Sequence, residues 1–339
     1  MKTTGFLLVA FLFCLGMVSF SVDSSTPIYL EVPSGWPKPI YNFKNNPLTE
    51  EGFELGRNLF YDPILSRDNT ISCSSCHLQQ TGFAHVDHEL SHGIESRIGN
   101  RNAPALINLA WNKHFHWDGG VNNLEVQAIN PIENPAEMDE KMANVIVKLQ
   151  QNQQYKSLFR KAFGDEKITS QRLLKALAQF TVMLQSSNSK YDQVIQGKAA
   201  FSSQEQHGYD LFKRHCATCH IEPLFSSNSF ENNGLTIDNT LNDYGRIKIT
   251  NNKKDSLHFK VPTLRNIQFT FPYMHDGRFK TLMEVIKHYN TLKYNPNMAP
   301  ALSKPMQLND KDRVDLVAFL QTLTDRDFLF NPRFGFPKK

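Results

Sequence analysis

A mainly α-helical protein made of two tandem, related domains is what the sequence predicts, on three observations. The chain of 339 residues has room for two domains of the usual ~100–200 residues each. A Cys-x-x-Cys-His string occurs twice, as Cys73-Ser74-Ser75-Cys76-His77 and Cys216-Ala217-Thr218-Cys219-His220, and a similar capped helix precedes each one. Elsewhere apolar residues recur with helical spacing, and no run of alternating strand pattern is evident.

Taken in order, residues 1–21 read as a cleaved signal peptide. Lys2 precedes an apolar stretch from Phe6 to Val18, and Ser19 and Ser21 flank Phe20 in a cleavage-site-like arrangement. The apolar run is shorter than the ~20 residues of a membrane-spanning helix. Cys14 lies inside it and leaves with it. Residues 22–46, with four prolines, read as an extended strap.

The first domain is expected over 47–195 and the second over 196–330, with 331–339 as a tail. Thr49 to Phe60 reads as a capped helix with acidic residues in its first turn, and Ser203 to Phe212 repeats that pattern. Leu173, Leu177, Phe180 and Leu184 form a core stripe behind Thr169 or Ser170, and Leu316, Phe319, Leu320 and Leu323 form another behind Asn309-Asp310. Asn232-Asn233-Gly234 and Asn251-Asn252 mark polar turns in a long connection before Val261. A further helix is expected from Leu282 to Tyr289.

Net charge is +4, from 37 basic and 33 acidic residues without a long single-sign run, so neither nucleic acid nor an anionic membrane surface is indicated as a partner. Cysteine usage is more specific. With Cys14 removed, all four remaining cysteines belong to the two strings, and none is left for a disulfide. Two thiols about one helical turn apart reach the two vinyl groups of a haem, and the adjacent histidine falls under the iron as proximal ligand. A four-cysteine zinc site or a redox dithiol requires no histidine after each pair. The strings therefore read as attachment sites for two haem c groups, through Cys73, Cys76, Cys216 and Cys219, with His77 and His220 on iron.

Further segments carry a resemblance: Leu55-Gly56-Arg57-Asn58-Leu59-Phe60-Tyr61-Asp62-Pro63, Arg101-Asn102-Ala103-Pro104-Ala105-Leu106, Trp117-Asp118-Gly119, Pro131-Ile132-Glu133-Asn134-Pro135-Ala136-Glu137-Met138 and Val261-Pro262-Thr263-Leu264-Arg265-Asn266. In these, and in their order, the chain resembles the dihaem bacterial cytochrome c peroxidase and MauG family over nearly its whole mature length. The resemblance implies two cytochrome c-like helical domains, each wrapping one covalently bound haem c, with the first haem reacting with peroxide and the second relaying electrons. It makes Glu137 the residue that moves a proton between the peroxide oxygens, Gln127 the pocket amide, and Trp117 the bridge between the haems. The plain alternatives are an exposed helix-start carboxylate at Glu137 and a core tryptophan at Trp117.

The same resemblance assigns an interdomain calcium ion to Asn102, Thr270 and Pro272. It makes His92 the loop histidine of the first iron, with His85, His88 or no ligand as alternatives. At the second iron the chain departs from classical members, which offer methionine. The matching position is Tyr289, in His288-Tyr289-Asn290, where the MauG branch has an axial tyrosine; Met298 and Met274 are the thioether alternatives, and a half-buried packing aromatic is the plain one. Three functions follow as expectations. One is peroxide reduction with electrons from a small donor such as a cytochrome c or cupredoxin. Another is a MauG-like enzyme that stores oxidising equivalents and oxidises a partner protein or substrate. The third is an electron-transfer dihaem cytochrome without catalysis. An exported, periplasmic protein, able to pair as a homodimer, fits all three.

Overall fold

The computed structural model describes residues 25–337; the signal-peptide expectation falls outside them, as do the last two residues of the tail. Among the described residues no helix is long and apolar enough to cross a membrane. The chain forms α1 (Glu50–Tyr61), α2 (Cys73–Cys76), α3 (Leu124–Gln127), α4 (Ile129–Glu133), α5 (Met142–Gln151), α6 (Gln153–Phe163), α7 (Ser170–Val182) and α8 (Lys190–Ile195). It continues with α9 (Ser203–His215), β1 (Phe230–Glu231), α10 (Ile247–Thr250), β2 (Phe259–Lys260), α11 (Leu282–Asn290), α12 (Asp310–Gln321) and α13 (Arg326–Leu329). The two strands pair antiparallel, Phe230 with Lys260 and Glu231 with Phe259, and the architecture is otherwise helical.

The helices start where capping chemistry places them. Thr49 caps α1 by accepting from the Gly52 amide, Thr169 caps α7, and Asn309 closes a capping box with Asp312 on α12. For α9 the cap is Ser202, one residue before the expected start, because Glu205 reaches back to the Ser202 amide and completes the box there.

Each half has the same helix crossing. A Cβ on Gly56 of α1 would lie 2.0 Å from the Ala176 carbonyl oxygen of α7, and a Cβ on Gly208 of α9 would lie 2.0 Å from the Asp315 carbonyl oxygen of α12. Phe180 and Phe319, four residues further along, are fully buried beside those contacts. Glycine at the crossing lets the backbones touch, and the phenylalanine behind it fills the core. On α1 and α9 themselves each glycine is also followed four residues later by a buried phenylalanine, Phe60 and Phe212.

Around the first crossing pack Phe53, Leu59, Phe60, Phe83, Leu177 and Phe180; around the second, Tyr191, Phe212, Phe225, Leu316, Phe319 and Leu323. Phe328 and Leu329, within the 196–330 expected for the second domain, and Phe334, in the tail, belong to the first core, and the Tyr61 hydroxyl donates to the Phe334 carbonyl at 2.8 Å. The end of the chain, from Phe328 on, thus returns to the first half. Residues 25–46 contain no helix. Ile40 and Tyr41 amides donate to the Ala110 carbonyl, and Trp36 meets Trp111 edge-on at 5.1 Å.

Polar contacts join the halves. Arg101 bridges Asp118 at 2.6 Å and Asp243 at 2.6 Å, and the Asn102 amide donates to the His275 carbonyl at 2.7 Å. Arg265, fully buried, pairs with Asp192 through two bonds of 2.7 and 2.8 Å and lies over the Trp36 ring. Burial of such a pair is sustained by its fork geometry and the added carbonyl bond to Pro223.

Candidate active site

The first Cys-x-x-Cys-His forms α2, begun by a Ser72–Ser75 capping box, and ends at His77. His77 Nδ1 lies 2.7 Å from the Phe83 carbonyl oxygen, which only accepts, so Nδ1 carries the proton and Nε2 keeps its lone pair. Burial pushes the imidazole down to about 4, keeping it neutral. At the second string His220 Nδ1 is shared between the Phe225 carbonyl at 3.1 Å and the Pro262 carbonyl at 3.2 Å. Both histidines are thus oriented as neutral, metal-ready ligands.

The thiols behave consistently. Burial drives Cys73 up to about 12, Cys76 to about 11 and Cys216 to about 12. A redox dithiol needs a depressed thiol, so the structure disfavours that alternative. Among the described residues no group of three or more His, Cys, Asp or Glu side chains is arranged to hold a metal ion, which disfavours the four-cysteine zinc site as well.

A cavity of about 70 Å³ opens over α2. Cys73, Cys76 and His77 line it together with His92, Gln127, Glu137 and apolar Phe60, Leu106, Leu124 and Leu177. An apolar wall with two thiols and a pinned imidazole is a donor set that fits a c-type haem. Four sequence-predicted groups far apart in the chain, at 77, 92, 127 and 137, therefore share one space.

Glu137 sits in the turn between α4 and α5, half-buried in the cavity wall rather than on an exposed helix start. Burial raises its pKa, against the opposing hydrogen bond from Asn134 Nδ2 to Oε1 at 2.8 Å. Asn134, not singled out from sequence as a positioning group, is what holds this carboxylate. Gly93 packs the histidine loop directly on it: a Cβ there would lie 2.3 Å from the Glu137 carbonyl oxygen. His88 stacks on His92 at 4.0 Å and His85 on His88 at 5.4 Å, so the three histidines form one column with His92 at the cavity. Burial lowers the pKa of both His85 and His92.

Trp117 does not line this cavity. Its indole donates to the Asn102 carbonyl at 2.8 Å, and its carbonyl accepts from the Lys260 amide at 2.7 Å, placing it between the two halves. Asn102 Nδ2 donates to the Pro272 carbonyl at 2.6 Å, while Asn102 Oδ1 is buried without a hydrogen-bond partner. Thr270 packs its methyl toward Gly82.

At the second string, Tyr289 of α11 is near enough to Cys216 and Cys219 for their charges to influence it. Burial pushes its hydroxyl up to about 12, opposed by the side-chain amide of Asn233. Asn233 also donates to the Met274 sulfur at 3.3 Å, and its carbonyl receives His288 Nε2 at 3.0 Å. Met298 is buried beside Gly234. The segment that reads as a polar turn is covered by other elements, with Asn232 only 1% exposed. Its burial was hidden because consecutive asparagines and a glycine carry turn chemistry whether or not another element covers them.

Residues 50–200 match the family profile described as di-haem cytochrome c peroxidase, and residues 205–324 match that described as cytochrome c. Two cytochrome c-type domains imply covalently bound haems. The chain is 36% identical over 327 residues to methylamine utilization protein MauG of Methylorubrum extorquens, covering 91% of this chain and 89% of that protein. It is also 36% identical over 280 residues to cytochrome c551 peroxidase of Nitrosomonas europaea, covering 80% and 79%. A solved MauG-like protein associated with microbial copper homeostasis superposes with a TM-score of 0.82 at 31% identity, over 91% of this chain and 99% of that one. The diheme peroxidase BthA from Burkholderia thailandensis shares the fold, with a TM-score of 0.73 at 22% identity over 87% and 91%. Peroxidases and MauG proteins alike align across most of its length, and the chain belongs to the di-haem cytochrome c peroxidase and MauG family, whose members are mostly oxidoreductases.

Proposed function

We propose that the chain is a dihaem cytochrome c peroxidase that reduces hydrogen peroxide to water with electrons from a small redox protein, a cytochrome c or cupredoxin. The observation that supports this most is the shared cavity in which Glu137, Gln127 and His92 join Cys73, Cys76 and His77. A haem bound there supplies the iron that binds peroxide and delivers electrons. Glu137 would take a proton from one peroxide oxygen and return it to the other, a task favoured by a carboxyl raised above its ordinary range. Asn134 fixes the Glu137 carboxylate. Gln127 has no side-chain hydrogen bond among the described residues and is free to orient peroxide or water. Phe60, Leu106, Leu124 and Leu177 exclude bulk water. Steady-state peroxide turnover with a reduced cytochrome donor tests the reading, and a Glu137→Gln variant with wild-type turnover would overturn Glu137's part in it.

A second reading, a MauG-like enzyme that oxidises a partner protein or substrate, is favoured by Tyr289. This side chain lies close to Cys216 and Cys219, with the Asn233 amide available to a phenolate oxygen. In this reading Tyr289 would hold the second iron, and Met274, held by Asn233, and Met298 would be packing residues. Optical and electron paramagnetic resonance spectra of the diferric protein distinguish tyrosinate from thioether ligation. Trp117 fits a bridging role because it is hydrogen-bonded to both halves. The orphaned Asn102 Oδ1 beside the Pro272 carbonyl suits a hard cation such as calcium, with Thr270 as a third contributor. Export to the periplasm, after removal of residues 1–21, is proposed with the haems, and domain limits of 47–195 and 196–330 are proposed with the return of the chain end noted above.

A further inference from the structure

The ribbon of β1 and β2 gathers a cluster of cationic and imidazole groups that the peroxide chemistry leaves unused. Phe230 on β1 is opposite Lys260 on β2. The Arg246 guanidinium lies 3.7 Å from the centre of the Phe230 ring, and the His114 ring meets the same phenyl edge-on at 5.4 Å. Cross-strand partners have Cβ atoms only ~4.5–5.5 Å apart, so one aromatic side chain brings Lys260, Arg246 and His114 together.

Among the described residues no carboxylate pairs with Lys260, Arg246 or His114. Arg246 donates to the Asp118 carbonyl at 3.0 Å, whereas the Asp118 carboxylate is engaged by Arg101 at 2.6 Å. Glu231 alternates to the other face of β1 and accepts from the Ser229 hydroxyl at 3.0 Å. His114 Nδ1 is buried with no hydrogen-bond partner. Desolvation brings the Lys260 ammonium down to about 8, and no carboxylate offsets it. An ammonium without a counter-ion and a buried imidazole nitrogen without a partner are both groups that an anion would satisfy.

The ribbon grows directly out of the second haem string. Before β1, the Ser227 amide donates to the Cys219 carbonyl at 2.8 Å. After β2, Val261 donates to Ser229 at 2.9 Å, and the next residue, Pro262, supplies the carbonyl that orients His220. A c-type haem brings two propionate carboxylates, and anions of that kind are what this cluster lacks.

We propose that Lys260, with His114 Nδ1 and Arg246, binds a propionate carboxylate of the second haem and neutralises it. This rests on the reading that a haem is attached through Cys216 and Cys219. Neutralising a propionate removes negative charge from beside the iron and so favours the ferrous state. Lys260 thereby sets the potential of the electron-relaying haem from outside its ligand set.

The test is a redox titration of the haem-loaded protein, resolving the two haems spectrally, for wild type, Lys260→Met, Lys260→Arg and His114→Leu. Lys260→Met is expected to shift the second haem about tenfold toward ferric, a fall of about 59 mV for one electron, with the first haem unmoved. Lys260→Arg restores most of the shift, and His114→Leu gives a smaller fall in the same direction. Two haems present with the second midpoint unchanged, or a shift confined to the first haem, overturns the proposal. If Lys260→Met is recovered without both haems, the absence of a shift in His114→Leu overturns it instead. Added inorganic phosphate that shifts the wild-type midpoint saturably, and not that of Lys260→Met, would assign the cluster to a free anion and likewise overturn it. Wild-type protein without haem at Cys216 and Cys219 would instead refute the reading on which the proposal rests.

Discussion

Replacing Glu137 with glutamine isolates its acid–base role, because the two side chains have the same shape. Glu137 Oε1 accepts a 2.8 Å hydrogen bond from Asn134, and a glutamine oxygen can accept the same bond. The loss in folding stability should stay within about 1 kcal/mol, the net worth of one hydrogen bond. What disappears is the ionisable oxygen, and a positioned acid–base group contributes ~10²–10⁴-fold. Turnover should fall at least ~100-fold, or about 2.7 kcal/mol of barrier at 1.36 kcal/mol per decade. The pH profile gives a second handle. Burial raises the Glu137 pKa, so wild-type turnover should decline on the acid side at a pH above the ordinary glutamate range, as the group that must accept a proton becomes protonated. Steady-state peroxide consumption against pH, with haem content measured on the same samples, is the assay. Turnover within threefold of wild type at full haem loading would refute the reasoning, and a loss of haem would make the residue structural.

Tyr289→Met should raise the midpoint potential of the second haem, because a thioether favours ferrous iron whereas a phenolate stabilises ferric; unchanged spectra and potential would make Tyr289 a packing residue. Gly208→Ala pushes a methyl to 2.0 Å from the Asp315 carbonyl oxygen and should destabilise the α9–α12 crossing by about 1–3 kcal/mol, read by denaturant unfolding, with Gly56→Ala doing the same to α1–α7. Burial alone would raise Asp243, yet Arg101 overrides it and holds the carboxyl at about 2. Its folded pKa lies below the unfolded value of ~3.9, so this contribution of roughly 2 kcal/mol is present above pH ~4 and is lost as pH falls toward 2. An Asp243→Asn variant should show a correspondingly flatter decline in stability over that window.

Much of the fold was legible because its periodicities are local. The Thr49, Thr169 and Asn309 caps and the Leu173–Leu184 stripe are short-range patterns, and the structure places helices on them. The Ser203 start was off by one because Ser202 and Ser203 are equally good caps until Glu205 selects between them. The return of Phe328 and Phe334 to the first core was not legible, since nothing local says which of two aromatic cores an aromatic residue joins. In the site, Cys-x-x-Cys-His carries its own chemistry. Asn134, Asn233 and Lys260 acquire their significance only from what the fold sets beside them: a carboxylate, a tyrosine with a methionine, and an aromatic ring with two more basic groups.

The most direct test of the central claim is the stoichiometry of peroxide reduction by the haem-loaded chain with a reduced small cytochrome or cupredoxin. Reduction of one peroxide to two waters takes two electrons, so two donor molecules should be oxidised for each peroxide consumed, in a reaction that depends on Glu137. A protein carrying both haems that exchanges electrons with the donor but oxidises none of it in response to peroxide would contradict the account.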